Sequence, residues 1–284
     1  MIKFGPSGAD TRFYELGNKA TLEMPKYLVD MNLDCFEYSF GRGVNMQSET
    51  ALLIAEAFKE TGIEISVHAP YYINFANPDL DKIHATYNYL LSSLSALKDL
   101  GGRRCVVHPG SPLKEERSMA AALMLDNVRS LVPILHENGY ADMLICIETM
   151  GKINQMGTLS EIIDICNIDK MFIPCVDFGH INARGQGILK GKDDYKRIID
   201  TMLNSLDEWK VKNMHVHFSK IEYGKSGELR HLTFDDIIYG PSFEPLAEVI
   251  IDYNLTPYII CESAGTQSLD ALDMKNIFSK MLNI

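Results

Sequence analysis

The chain has 284 residues, 46% of them hydrophobic and 23% charged, enough apolar material for one large core and too little bias for disorder. Its 27 Lys and Arg against 38 Asp and Glu give a formal charge of −11, which opposes binding to a polyanion unless bound cations reverse the sign locally. No apolar run reaches the roughly 18–20 residues of a membrane span. The six cysteines form no CxxC pair and read as buried thiols of a cytoplasmic protein.

From the start, Met1-Ile2-Lys3-Phe4-Gly5 leads directly into a strand, with no signal peptide expected. Strands are predicted over residues 2–8, 35–40, 64–70, 104–110, 144–150, 172–180, 213–220 and 258–263, each a short apolar run. Between them, residues 48–60, 81–100, 118–138, 159–166, 193–209 and 243–254 carry apolar side chains at helical spacing. Gly62, Gly101-Gly102 and Gly139 follow three of these helices and suit C-caps. Alternation of strand and helix predicts a parallel sheet, and eight repeats in this length predict an α/β fold: a (β/α)₈ TIM barrel in a single domain, 1–284. A doubly wound sheet is the alternative. The longest irregular stretches, 71–78, 151–157, 181–192 and 221–233, all follow strands, where a barrel carries its active site.

Six of the runs end in residues of metal-ligand type: Ile65-Ser66-Val67-His68, Cys105-Val106-Val107-His108, Leu144-Ile145-Cys146-Ile147-Glu148, Cys175-Val176-Asp177, Met214-His215-Val216-His217 and Ile259-Ile260-Cys261-Glu262. Histidine and carboxylate are the common side-chain ligands of zinc and similar cations. A carboxylate after an unbroken apolar run, as at Glu148 and Glu262, is costly without a partner, either a metal or a strand-end Lys or Arg. Asp177 and His180 lie three apart at a strand exit, and Glu228 and His231 share a later loop. His215 and His217 point to one face because strand side chains alternate, and both remain open as ligands. With His215 taken from this strand, the set is His68, His108, Glu148, Asp177, His180, His215, Glu228, His231 and Glu262. Nine donors exceed the roughly four of one zinc and suit three ions with a bridging carboxylate. His84 and His136 fall on helices and receive no role.

Several segments, in order, resemble endonuclease IV, the family-2 apurinic/apyrimidinic endonucleases. They are His68-Ala-Pro-Tyr71-Tyr72-Ile73-Asn74, Val107-His108-Pro109-Gly110-Ser111, Ile147-Glu148-Thr149, Cys175-Val176-Asp177-Phe178-Gly179-His180, His215-Val-His-Phe-Ser219-Lys220 with Gly224 and Glu228, and Cys261-Glu262. The resemblance spans essentially the whole chain. It implies a monomeric, trinuclear zinc hydrolase, with manganese acceptable at a site, that cleaves duplex DNA 5′ to abasic lesions in base-excision repair. His68, His108 and Glu148 would hold the first ion. Glu148, Asp177, His215 and Glu262 would hold the second, and His180, Glu228 and His231 the third. Glu148 and Glu262 would be catalytic, Glu262 orienting the nucleophile. Tyr71 and Tyr72 would contact DNA as wedges that help extrude the lesion. Glu228-Leu229-Arg230-His231 departs from the family's D-R-H by one extra residue and by Glu for Asp. The family's basic loop after the second strand is missing. The rival enzyme class is the single-metal sugar isomerase and epimerase group of the same superfamily, for which Glu148, Asp177, His215 and Glu262 alone would suffice. A non-catalytic metal- or nucleic-acid-binding barrel is a third reading.

Overall fold

The structure, a computed structural model, describes residues 1–282. The eight apolar runs form β1 (Lys3–Pro6), β2 (Cys35–Ser39), β3 (Glu64–His68), β4 (Arg104–Val107), β5 (Leu144–Glu148), β6 (Phe172–Asp177), β7 (His215–Phe218) and, after a hairpin of β8 (Ile221–Gly224) and β9 (Gly227–His231), β10 (Tyr258–Cys261). The sheet order is β1-β10-β7-β6-β5-β4-β3-β2, with every pairing parallel. A parallel bridge from Ser7 to Glu37 joins β1 to β2 and closes the barrel, which excludes the open doubly wound sheet. The fold is the (β/α)₈ barrel expected from the alternation of elements.

The helices are α1 (Thr11–Glu15), α2 (Met24–Asp30), α3 (Ser48–Thr61), α4 (Leu80–Asp99), α5 (Arg117–Glu137), α6 (Leu159–Cys166), α7 (Phe178–Arg184), α8 (Lys192–Leu203), α9 (Glu208–Lys212), α10 (Glu244–Asp252) and α11 (Gln267–Met281). Gly62, Gly101 and Gly139 end α3, α4 and α5 at φ of 73°, 74° and 76°, a left-handed conformation that suits residues lacking Cβ. The helix expected over 193–209 is instead two. α8 stops before Asn204, and α9 restarts after Asp207, whose side chain accepts from the Trp209 amide. The sixth strand is shorter than expected, because Asp177 accepts from the His180 amide at 2.7 Å and starts α7. α5 is long and apolar enough, by length and composition, to cross a membrane. Here it buries Ala120, Met124, Val128, Leu131 and Leu135 as one stripe of the barrel's helical layer.

The main apolar core lies between barrel and helices, with Phe4, Leu90, Leu94, Phe172 and Phe218 among its members. Inside the barrel a small apolar cluster of Val106, Cys146, Ile173 and Cys175 shares the space with buried polar side chains. Arg104 lies toward the strand starts, its guanidinium 3.9 Å from the Tyr258 ring centroid and donating to the Asn213 carbonyl. Glu37, Ser66 and His215 are also buried. All six cysteines are free and buried.

Candidate metal centre

The ends of β3, β5 and β6, with the residues just past β4 and β10, deliver His68, Glu148, Asp177, His108 and Glu262 to one end of the barrel. Glu148 is the centre of the group. His68 Nε2 and His108 Nε2 lie 3.2 and 3.0 Å from its Oε2, and His180 Nδ1 and His217 Nδ1 each lie 3.3 Å from its Oε1. His217 Nδ1 is also 3.4 Å from Glu262. His180 Nδ1 is 3.1 Å from Asp177 Oδ2, and its Nε2 is 3.3 Å from Glu228 Oε2. His231 Nε2 lies 3.9 Å from Glu228. Three donor groups contain carboxylates: His68–His108–Glu148, Glu148–Asp177–His217–Glu262 and His180–Glu228–His231, with Glu148 common to the first two; a fourth group, Cys175–His215–His217, has none and shares His217 with the second.

One position differs from the expected set. The structure brings His217, not His215, to the carboxylates. Register explains it. Asp177 pairs with His217, whereas His215 pairs with Cys175, two residues deeper in the barrel. His215 Nε2 instead lies 3.0 Å from Glu37 Oε2. Its burial outweighs this contact and lowers its pKa to about 4, so it is neutral.

The one-residue departure at Glu228–His231 also has a local cause. Residues three apart on a regular strand face opposite sides. In the β8–β9 hairpin Glu222 pairs with Arg230 and Tyr223 with Glu228, so Leu229 is an extra, bulged residue. It points outward, 60% exposed. The bulge turns Glu228 and His231 to the same side, which is what such insertions do in strands.

The loops that frame the site are tied together. Asn74 Oδ1 accepts from the amides of Ala76 and Ser111, and its Nδ2 donates to the Ser111 carbonyl. Gly110, at φ 119°, makes that approach possible, because a Cβ there would stand 2.1 Å from Asn74 Oδ1. This staple fixes the loops after β3 and β4, which carry Tyr71, Tyr72 and the His108 segment. Tyr71 and Tyr72 are about half exposed, 52% and 50%. Lys220 Nζ donates to the Phe234 carbonyl and so pins the loop after the hairpin.

The donor set fits metal ions on three observations. First, among the described residues Glu148, Asp177, Glu228 and Glu262 meet only histidines; no Lys or Arg forms an ion pair with any of them. Second, Asp177 Oδ2 is buried with no aligned hydrogen-bond donor. Third, the rings are held from behind. His68 Nδ1 donates to the Ala69 carbonyl, His180 Nδ1 to the Thr149 carbonyl, and His231 Nδ1 meets Ser219 Oγ at 2.8 Å, leaving each Nε2 toward the carboxylates. Outer contacts of this kind orient metal-binding histidines.

Electrostatics points the same way. Burial opposes protonation of His180, yet Asp177, Glu148 and Glu228 outweigh it and raise the pKa to about 10. His68 is likewise raised to about 9, burial being overcome by Glu148 and Glu37. Burial of Glu148 opposes its ionisation, but His108, His217 and His180 hold its carboxyl well below the usual range. Asp177 is raised, by burial and by Glu262 and Glu148. Dications bound here would supply positive charge to Glu148 and Asp177 without protonation of the surrounding histidines.

The donors open into a cavity of about 220 Å³, lined also by Ser7, Ser39, Tyr71, Lys152 and Gln155. Apart from Tyr71, sequence reasoning missed these, along with Glu37. Glu37 could have been flagged by the argument used for Glu148, as a carboxylate inside the apolar run Cys35-Phe36-Glu37-Tyr38. Lys152 and Gln155 lie in an irregular loop without a pattern to mark them.

Fold and site together define a (β/α)₈ barrel with clustered metal-type donors at the C-terminal ends of its strands. The chain belongs to the xylose isomerase-like TIM barrel family, whose model matches residues 25–276. An uncharacterized protein of Methanocaldococcus jannaschii is 30% identical over 265 residues, 93% of this chain and 92% of its own length. A protein of Malacoplasma penetrans named "Probable endonuclease 4" is 27% identical over 246 residues, 79% of this chain and 81% of its own length. Among solved structures, a D-tagatose 3-epimerase-like protein superposes with a TM-score of 0.74 at 20% identity, covering 99% of this chain and 97% of its own. Endonuclease IV from Thermus thermophilus superposes at 0.69 and 16% identity, covering 99% and 98%. At those identities the superpositions speak for the fold alone.

Proposed function

We propose that the chain is a metal-dependent phosphodiesterase that nicks duplex DNA 5′ to abasic sites, acting as a cytoplasmic monomer in base-excision repair. The observation that carries this reading is the third donor group. A single-metal sugar epimerase needs only Glu148, Asp177, His217 and Glu262. His180, Glu228 and His231 would then stand idle beside them, with a hairpin bulge shaped to place two of the three. The resemblance to endonuclease IV and the named relative of Malacoplasma penetrans support the same reading.

His68, His108 and Glu148 would hold one ion, Glu148, Asp177, His217 and Glu262 a second, and His180, Glu228 and His231 a third, zinc being the expected metal and manganese an acceptable one. When bound, the ions supply Lewis-acid charge for phosphoryl displacement. Glu262, partly exposed to the cavity while Glu148 and Asp177 are buried, orients the attacking water and accepts its proton. Lys152 meets the phosphodiester at the cavity wall. Tyr71 and Tyr72, exposed on the rim, pack against the sugars and bases beside the lesion, where the missing base makes extrusion least costly.

The test combines metal analysis with a cleavage assay on a duplex holding one abasic site, with and without chelator. About three dications per chain and chelator-sensitive nicking are expected. One dication per chain, no nicking at low salt and turnover of a ketose would favour the epimerase reading instead, which the complete four-residue group keeps as the second candidate.

A further inference from the structure

We infer that Glu37, on β2, is a positioning residue that fixes His217 in its Nε2-protonated form, so that Nδ1 faces Glu148, Asp177 and Glu262 as a metal donor. The inference rests on the metal reading above. His217 is completely buried, with Nδ1 3.3 Å from Glu148 and 3.4 Å from Glu262. Once Nδ1 gives its lone pair to an ion, Nε2 must carry the proton, and a buried N–H requires an acceptor. The other pinned histidines find theirs nearby, on Ala69, Thr149 and Ser219. Nε2 of His217 has no aligned partner of that kind. The atom placed for it is Glu37 Oε1, at 3.0 Å.

Glu37 arrives from across the barrel, since β7 pairs with β6 and β10 and not with β2. Its charge is wholly buried, and its two oxygens divide the available donors. Oε2 accepts from His215 Nε2 at 3.0 Å and from Ser66 Oγ at 3.3 Å. Among the described residues Oε1 has no aligned donor, and with His217 Nε2 3.0 Å away it is left for that ring. Deep burial of a carboxylate is otherwise costly. A carboxylate behind a ligating imidazole also makes the ring a stronger donor. β2 thus serves the site from below, although it contributes no residue to the three donor groups.

The experiment uses the full chain. Zinc affinity is measured by competition with a chromophoric chelator for wild type, Glu37→Gln and His215→Gln. The histidine tautomers of zinc-loaded wild type are read by long-range ¹⁵N–¹H NMR. Glu37→Gln keeps the shape but offers one acceptor where two are needed, so zinc affinity at one site falls by about 10–100-fold. His215→Gln retains a side-chain donor for Oε2 and leaves affinity within the error of the titration. His217 appears in the Nε2–H form. Equal zinc affinity in Glu37→Gln and wild type, or His217 in the Nδ1–H form, overturns the inference while leaving the metal reading standing. A wild type that retains no dication overturns the metal reading, and this inference with it. Should Glu37→Gln fail to fold, the wild-type tautomer alone decides.

Discussion

Glu148→Gln is the most informative single change, because the Glu148 carboxylate is shared by two donor groups. The amide keeps the volume of a fully enclosed side chain and removes its charge from among four imidazole nitrogens at 3.0–3.3 Å. Losing a direct ligand costs at least the about 100-fold that loss of an outer partner can cost. A 100-fold fall in affinity at saturating zinc removes about 2.7 kcal/mol of metal-linked stability per site. Two sites give about 5 kcal/mol, which for a domain of this size is a Tm change of about 10 °C. The assay is thermal unfolding of both proteins, each stripped by chelator and then reloaded. Subtracting the stripped from the loaded midpoint removes whatever the substitution does to the metal-free fold. The zinc-dependent rise should be about 10 °C smaller in Glu148→Gln. An equal rise in the two proteins would refute the placement of Glu148 as a shared ligand.

Lys152→Ala should raise KM for abasic duplex and lower the slope of log affinity against log salt by about one, as expected when one phosphate is left without its cationic partner; an unchanged slope would remove Lys152 from the substrate. Replacing Tyr71 and Tyr72 together by Ala should weaken duplex binding by roughly 1–3 kcal/mol for each base that no longer stacks on a ring, with zinc content unchanged. A filter-binding titration checks it, and full affinity would return the pair to loop packing. Glu161 anchors the start of α6, where burial opposes ionisation but the Thr158 and Gly157 amides and Arg117 hold the carboxyl below its usual pKa. A depressed carboxyl stabilises the fold above its unfolded pKa, about 4.3, and the contribution fades as pH falls through the folded value. Urea unfolding of wild type and Glu161→Gln should therefore differ at pH 7 and converge in acid.

The barrel was legible because its strands are short, mostly apolar runs, the middle ones rich in Val and Ile and buried on both faces, and parallel strands leave that continuous signature. The candidate donors at the strand ends were legible for the same reason, since His or Glu after such a run stands out. What escaped depends on how distant segments pair. His215 and His217 share a face, and only the pairing of β6 with β7 decides which one lies level with Asp177. The Glu228–His231 spacing looked like a defect until the bulge at Leu229 absorbed the extra residue. Asp177 both caps α7 and faces the donor group, so the helix reached back to its end and shortened the expected strand. α11 was missed because its buried Ala271, Met274 and Phe278 sit among polar residues and make a thin stripe.

The acidic balance of the chain and the proposed DNA substrate are reconciled by the number of ions. Glu148, Asp177, Glu228 and Glu262 place four negative charges at the barrel mouth. One dication offsets only two of those four charges, which leaves little to draw a phosphodiester to a chain of net charge −11. Three dications would carry six positive charges against those four and reverse the local sign, with Lys152 at the same wall. A neutral sugar is indifferent to that sign, so an epimerase gains nothing from the second and third ions. Duplex binding should consequently appear only in the metal-loaded protein and fade with salt. Salt-insensitive binding of duplex by stripped protein would break the link between ion number and substrate.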